Sequence, residues 1–337
     1  MMTMLAGRLN VKTREFAVKE VPTPVPGPGE VLVKVAAAGV CLSDVHLIDG
    51  TLTPLYLPGD EVTLGHEVAG TVAATGPGVG GWTEGRRVLL QAGEHRGGAV
   101  WTRGVDYDGG WAEYAIASAQ TLLALPDSLS FEEAAIIPDA VSTPWAAITT
   151  TAQVRPAQAV GVWGVGGLGA HGVQLLRTVG AAPIIAVDPS PEARERALAF
   201  GADLALDSAD PELRARIRTE TAGVGLAVAF DFAGVPAVRE QAVTCLAPAG
   251  KLVLVGLTDK PLTISGGTAF SYFQQQILGH YGSSDAHVDQ LVQLVGRGRL
   301  EFSRSVSGVL PLAEAGQAVD RLLRRESPAP VRLVLKP

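Results

Sequence analysis

The stretch from Ala159 to Asp188 constrains this chain more than any other. An apolar run, Ala159-Val-Gly-Val-Trp163, leads into Gly164-Val-Gly166-Gly167-Leu168-Gly169. A helical pattern follows, and then Pro183-Ile-Ile-Ala-Val-Asp188. Strand, glycine turn, helix and a second strand ending on an acid form one βαβ unit, which needs a parallel sheet around it. The glycines have separate tasks. Gly164 permits the tight turn, Gly166 lets a pyrophosphate approach the backbone, and Gly169 lets helix and strand pack closely. Free N–H groups and the dipole at the helix N-terminus attract phosphate charge. Asp188 ends the second strand, where a carboxylate accepts hydrogen bonds from ribose hydroxyls and repels a 2′-phosphate, so NAD is favoured over NADP. Because the chain holds 40 glycines, the triplet alone says little; the ordered context carries the reading.

The chain has 337 residues, room for two domains, and its 47% hydrophobic content supplies a sizeable core. A net charge of −7 offers no basic face, so no nucleic-acid partner is expected. No apolar run reaches transmembrane length, and Met1–Leu9 lacks the apolar core of a signal peptide. The expectation is a cytoplasmic protein without a membrane partner. The two cysteines, Cys41 and Cys245, lie far apart, which argues against a disulfide framework.

Residues 1–145 read as a β-rich domain. Strands are expected at Val31–Val35, Glu67–Thr75, Arg87–Ala92, Ala112–Ala117 and Thr121–Leu125, separated by glycine-rich turns. Ser130–Ile137 reads as a short helix with Ser130 as N-cap and Glu132 and Glu133 in its first turn. Residues 146–280 alternate strand and helix, the pattern of a doubly wound parallel sheet. One of these helices is expected at Pro211–Thr221, with Pro211 at its first position. Residues 281–337 add helices and a last strand. The fold class is therefore α/β, a β-rich domain plus a doubly wound parallel-sheet domain.

The β-rich half carries a second signal. Cys41-Leu-Ser43-Asp44-Val-His46 packs a thiol, a hydroxyl, a carboxyl and an imidazole into one short segment. Gly65-His66-Glu67 and Ile137-Pro138-Asp139 follow. Zinc takes thiolate, imidazole and carboxylate ligands, and a catalytic site keeps one position open beside three protein ligands. Taken singly, each residue reads as well as a structural one: a small buried cysteine, a hydrogen-bonded core histidine, a loop aspartate. Spacing alone does not bring the three together.

These motifs resemble the zinc-containing alcohol dehydrogenases of the medium-chain dehydrogenase/reductase family. The resemblance rests on Pro26-Gly-Pro-Gly-Glu30, Gly39-Val-Cys-Leu-Ser-Asp-Val-His46, Gly65-His-Glu-Val-Ala-Gly70, Gly85-Arg-Arg-Val88, Gly109-Gly-Trp-Ala-Glu-Tyr114, the Gly164–Gly169 fingerprint and Asp231-Phe-Ala-Gly234. It implies a GroES-like catalytic domain, made from the first 145 residues and the tail, around a Rossmann domain, with zinc in the cleft between them. By position, Cys41, His66 and Asp139 match the zinc ligands. Glu67 matches a glutamate that coordinates transiently or sits behind the metal. Ser43 and His46 match the proton relay, and Asp44 the acid that orients His66. Cofactor contacts are implied at Thr143, Gly164, Gly166, Gly167, Leu168, Gly169, Asp188, Val255 and Leu257. Leu42 stands where relatives carry a cation against the pyrophosphate, and Arg332 is assigned that contact instead. Leu52, Tyr56, Ala92, Leu257 and Tyr281 are implied to line the substrate pocket.

One departure is plain. The lobe that holds a structural zinc in most relatives corresponds to Gln91–Asp108, which contains no cysteine. One catalytic zinc per chain and no structural zinc are therefore expected. Trp101 and Trp111 either cover the active-site mouth or pack a hydrophobic cluster. Leu262–Gly267 resembles the sheet-edge strand through which such domains pair, and a homodimer or homotetramer is expected. The reading is an NAD-dependent zinc alcohol dehydrogenase interconverting a small-molecule alcohol, secondary or cyclic, and its carbonyl. The alternatives are a zinc-free quinone or enoyl reductase using NADPH, and a nucleotide-binding protein without redox turnover.

Overall fold

A computed structural model describes residues 2–324 and 330–337. Among the described residues the chain separates into two compact units, Val141–Ser283 forming one and residues 2–140, 284–324 and 330–337 forming the other. Among the described residues no helix is long and apolar enough to cross a membrane.

The discontinuous unit is built on antiparallel sheets. Its largest sheet runs, in spatial order, Leu122–Ala124, Arg87–Leu90, Val68–Thr75, Glu30–Val40, Arg332–Lys336 and Val306–Pro311, with Tyr114–Ser118 also pairing to Glu30–Val40. The central strand explains itself from its sequence. Val31, Val33 and Val35 are buried while Leu32 and Lys34 are less so, the alternation of a strand with one covered face. From Ala37 to Val40 nearly every residue is buried, and the next residue is Cys41. A second sheet pairs Thr3–Asn10 with Phe16–Pro22 and Glu61–Thr63.

Two expectations in this unit need correction. Ser130 does cap a helix, accepting a hydrogen bond from Glu133 N (3.2 Å), but the α-helix covers only Phe131–Ala135. The chain then passes into a π-helical turn, Ile137–Val141, rather than leaving the helix before Pro138. A wider turn tolerates the missing N–H of proline, and such turns recur at functional sites. The strand expected at Ala112–Ala117 is displaced to Tyr114–Ser118, because Ala112 bridges instead to Ala6. The Gln91–Asp108 lobe contains a hairpin of Gly93–Arg96 and Ala99–Thr102.

Val141–Ser283 is a six-stranded sheet, all parallel. Its order is Leu204–Leu206, Ile184–Val187, Val160–Trp163, Leu226–Asp231, Leu246–Leu254, Gln276–Gly279. Numbered along the chain this is 3-2-1-4-5-6, the doubly wound order in which the chain reverses direction beside the first strand. Three of them, Ile184–Val187, Val160–Trp163 and Leu226–Asp231, are almost wholly buried, as a sheet covered on both faces requires. Pro211 does not open its helix: Glu212 is the N-cap of Leu213–Glu220, because Asp210 takes the Glu212 N–H into a turn first (2.8 Å). Leu262–Gly267 is not a strand. Pro261 precedes it, and Gly266 (φ +77°) starts a short helix, Gly267–Tyr272, so the sheet edge is Gln276–Gly279.

Candidate active site

The segment after the central strand turns at Cys41 into the helix Leu42–Asp49. Asp44, at its third position, accepts the Cys41 N–H through Oδ2 (2.9 Å) and the Gly65 N–H through Oδ1 (3.2 Å). One fully buried carboxylate thus closes the helix N-terminus and ties it to the segment carrying His66. Its Oδ1 also lies 3.6 Å from His66 Nδ1, on the ring edge opposite the one that faces Asp139. Burial pushes the Asp44 carboxyl up, against the pull of His66 and the two N–H donors.

Four side chains converge from three places in the chain. Single ligand atoms of Cys41, His66, Glu67 and Asp139 all lie within 4.8 Å of one another. Asp139 Oδ2 is 3.4 Å from both Cys41 Sγ and His66 Nε2, delivered there by the π-helical turn. Burial alone would lower the His66 pKa. Asp44, then Asp139 and Cys41, outweigh it and hold the imidazole well above its ordinary value. A buried pocket of thiol and carboxyls that draws a proton onto its histidine is a site that favours a cation.

Glu67 lies beneath this group. Its Oε1 accepts from Ala140 N (3.0 Å) and Arg332 Nη2 (2.9 Å), and its Oε2 is buried without a hydrogen-bond partner. Burial pushes Glu67 up to about 7 despite Arg332. A Cβ on Gly39 would fall 1.9 Å from Glu67 Oε2, so the glycine two residues before Cys41 is what leaves Glu67 its place. The donor set, three protein ligands of S, N and O type with a further carboxylate behind, fits a zinc ion. Ser43 and His46 stand three positions apart on the helix, both half-buried, and Ser43 Oγ lies 3.6 Å from Cys41 Sγ.

In the Val141–Ser283 unit the glycine turn follows Trp163. Gly164 has φ +86°, and a Cβ on Gly169 would sit 1.8 Å from the Gly164 carbonyl oxygen, so neither position takes a side chain without moving the turn. Gly166, the N-cap of helix Gly167–Val179, is exposed, and a Cβ there would meet nothing within 4 Å. That open space before a helix N-terminus fits a pyrophosphate. Asp188 Oδ2 accepts from Val165 N (2.7 Å) and Oδ1 from Ser190 N (2.9 Å). Both oxygens keep lone pairs for ribose hydroxyls.

Residues 27–127 match the family described as alcohol dehydrogenase GroES-like domain, and residues 167–297 match zinc-binding dehydrogenase. An NAD-dependent alcohol dehydrogenase of Sulfurisphaera tokodaii is 30% identical over 95% of this chain and 96% of its own length. The chain belongs to the zinc-dependent alcohol dehydrogenases of the medium-chain dehydrogenase/reductase family. A (R,R)-butanediol dehydrogenase of Bacillus subtilis is 30% identical over 73% of this chain and 76% of its own length. The crystal structure of a 2R,3R-butanediol dehydrogenase from Bacillus subtilis superposes with a TM-score of 0.90 at 27% identity, covering 99% of both chains.

Several residues of this dehydrogenase stand apart from their expected roles. Arg332, assigned to the cofactor pyrophosphate, is buried. Its Nη2 contacts Glu67 Oε1, Cys41 Sγ (3.5 Å) and Asp139 Oδ2 (3.6 Å). A buried guanidinium goes where the buried anionic groups are, and here they are Glu67, Asp139 and Cys41. Trp111 covers no mouth: it is fully buried, packs edge-on against Phe16 and donates its Nε1–H to Gly39 O (3.0 Å). Trp101 stacks on Tyr56 with ring centroids 5.2 Å apart. Thr143 is buried, its carbonyl accepting from His280 Nε2 (3.0 Å). Val255 is buried, and Leu257 and Tyr281 are exposed.

Sequence reasoning missed the residues that organise the cysteine-free lobe. Asp106 accepts the N–H groups of Leu55, Tyr56 and Thr102 (3.1, 3.0 and 2.9 Å). Arg103, fully buried, donates to Ile116 O (2.8 Å) and Gln91 O (3.3 Å) and lies over the Tyr107 ring. In this lobe a carboxylate and a guanidinium tie strands and loops together through backbone groups. Arg196, also missed, donates to the Val165 carbonyl (2.6 Å) and so braces the glycine turn.

Proposed function

We propose that this chain oxidises a secondary alcohol, open-chain or cyclic, with NAD, and reduces the ketone in the reverse direction, at one zinc ion held by Cys41, His66 and Asp139. The observation that supports this most is the meeting of those three ligand atoms with Glu67 beside a helix that presents Ser43 and His46. Zinc at this position supplies Lewis acidity, which lowers the pKa of a hydroxyl as it lowers that of water to about 7 elsewhere. The Ser43 hydroxyl both accepts and donates, so it takes the substrate proton at Oγ while giving up its own. His46, half-buried one helical turn on, passes the proton to water through its imidazole nitrogens. Asp44 holds the His66 ring in orientation, and Arg332 keeps Glu67 drawn toward itself. Gly166 and Asp188 seat the pyrophosphate and a ribose of NAD, with Gly164, Gly167, Leu168, Gly169, Thr143, Val255 and Leu257 around them.

The secondary-alcohol preference is supported by the relative named for butanediol, whose 2,3-diol carries only secondary hydroxyls. A second copy of the chain at the exposed edge strand Gln276–Gly279, near Tyr272 and Phe273, would complete a homodimer.

Metal content by plasma emission on protein purified without added zinc or chelator is the first test, followed by NAD reduction with 2,3-butanediol and cyclohexanol. The expected result is about one zinc per chain and NADH formation. A folded protein that refuses zinc and reduces an activated alkene with NADPH would overturn the proposal in favour of a zinc-free reductase.

A further inference from the structure

The doubly wound sheet reverses between Val160–Trp163 and Leu226–Asp231, and ligands bind beyond the strand ends at such a point. Asp188 lies on one side, at the end of the neighbouring strand Ile184–Val187. The turns after Leu226–Asp231 and Leu246–Leu254 lie on the other. With the adenosine ribose at Asp188 and the pyrophosphate at Gly166, the second half of the dinucleotide falls to those two turns.

They are joined with unusual closeness. A Cβ on Gly256 would sit 2.3 Å from Gly234 N, and one on Gly234 2.6 Å from Leu257 O. One on Gly164 would sit 3.0 Å from Ala233 N. Three turns therefore meet backbone against backbone. One buried ion pair holds two of them, the turns after Leu226–Asp231 and Leu246–Leu254. Asp231 Oδ1 accepts Ala233 N and Gly234 N (both 2.9 Å), and Oδ2 accepts Arg239 Nε (2.7 Å). Arg239 Nη2 then reaches across to the Gly256 carbonyl (2.8 Å), while the Asp231 carbonyl accepts Val255 N and Gly256 N (2.9 and 2.8 Å). Both side chains are buried. The helix Pro236–Thr244 that carries Arg239 also carries Gln241, which accepts the Trp163 Nε1–H (2.9 Å) at the end of the first strand.

We infer that Arg239, bridging Asp231 and the Gly256 carbonyl, is a positioning residue for the nicotinamide half of the bound dinucleotide. The inference rests on the NAD reading above. The Nε bond ties Arg239 to the first turn, and the Nη2 bond to Gly256 carries the same planar fork to the second, so one rigid guanidinium fixes the spacing between them.

The test compares NADH with ADP-ribose, which keeps the adenosine, pyrophosphate and ribose but lacks the ring. Arg239→Lys retains the charge beside Asp231 and loses the fork that reaches Gly256. The expected result is a rise in Kd for NADH of about tenfold or more, with a change for ADP-ribose of no more than about twofold, and a KM for NAD that rises with it. In a folded variant, equal weakening of both ligands, or of neither, would overturn the inference. Should Arg239→Lys fail to fold, the double variant Asp231→Asn with Arg239→Gln removes both buried charges together, and the same comparison applies. Wild-type protein that binds neither ligand would overturn the NAD reading itself.

Discussion

At the residue scale, function is concentrated in a few side chains whose neighbours explain them. Asp139, the proposed third ligand, is held over Glu67 and Arg332, and Glu67 fits because residue 39 is glycine. Gly39→Ala should cost zinc before it costs the fold, since the methyl group must displace Glu67; metal content and circular dichroism on one preparation check this. Cys41→Ser is expected to take zinc from about one per chain to near none while leaving the Kd for NADH unchanged; a fluorescence titration in which NADH binding disappeared from folded protein would contradict the separation of the two sites. Asp188→Gly should raise KM for NAD and shift the ratio of kcat/KM for NADP over NAD upward by about tenfold or more. An unchanged ratio would remove the ribose assignment.

At the scale of elements, what matters is how each piece is ended. Asp44 closes the helix that carries Ser43 and His46 and reaches the His66 segment in one step, which fixes the start of a helix of only eight residues. The hairpin lobe depends on Asp106. Asp106→Ala leaves three backbone N–H groups without their acceptor, so a loss of about 1–3 kcal/mol is expected. The loss should be read as faster hydrogen exchange at Leu55, Tyr56 and Thr102, with zinc content unaffected. The helix Phe131–Ala135 that leads to Asp139 is tied to the last strand by Lys336 and Glu132 (2.7 Å). The Lys336 hydrogen bond holds the Glu132 carboxyl below its ordinary value. A carboxyl lowered in the folded state stabilises above its unfolded pKa and loses that contribution as pH falls through the folded value. Denaturant titrations should therefore show wild type ahead of Glu132→Gln by about 0.2–1 kcal/mol near neutrality, with the two converging in acid.

At the scale of the whole molecule, each candidate site is assembled inside one compact unit. The proposed zinc ligands and their supports come from residues up to Ala140 and from Arg332; the glycine turn, Asp188 and the Asp231–Arg239 bridge come from Val141–Ser283. Removing zinc with a chelator should accordingly abolish alcohol oxidation and leave NADH binding within about twofold. Parallel loss of both in folded protein would show that the units depend on each other for cofactor affinity.

The dinucleotide-binding βαβ unit was legible in the sequence because its parts are local. The strand, three glycines, helix, second strand and acid occur in order within one stretch, and local order is what periodicity and turn chemistry report. Ser130 as a helix cap and the absence of cysteines from Gln91–Asp108 were legible for the same reason. The metal ligands were not: Cys41, His66 and Asp139 are ordinary residues until family resemblance or tertiary folding brings them to one point. Arg239, Arg103 and Asp106 gave no local sign at all, and Arg332 was given the wrong partner, because such a side chain is identified by what it reaches, and its partners come from distant turns and strands. Pro138 pointed the wrong way, since a local rule ends a helix there while packing against Glu67 favours a wider turn that carries Asp139 inward. Sequence alone determined what periodicity and turn chemistry encode over a few neighbouring residues; the meeting of buried charges was decided by the tertiary structure, which alone sets which ions share a low-dielectric space.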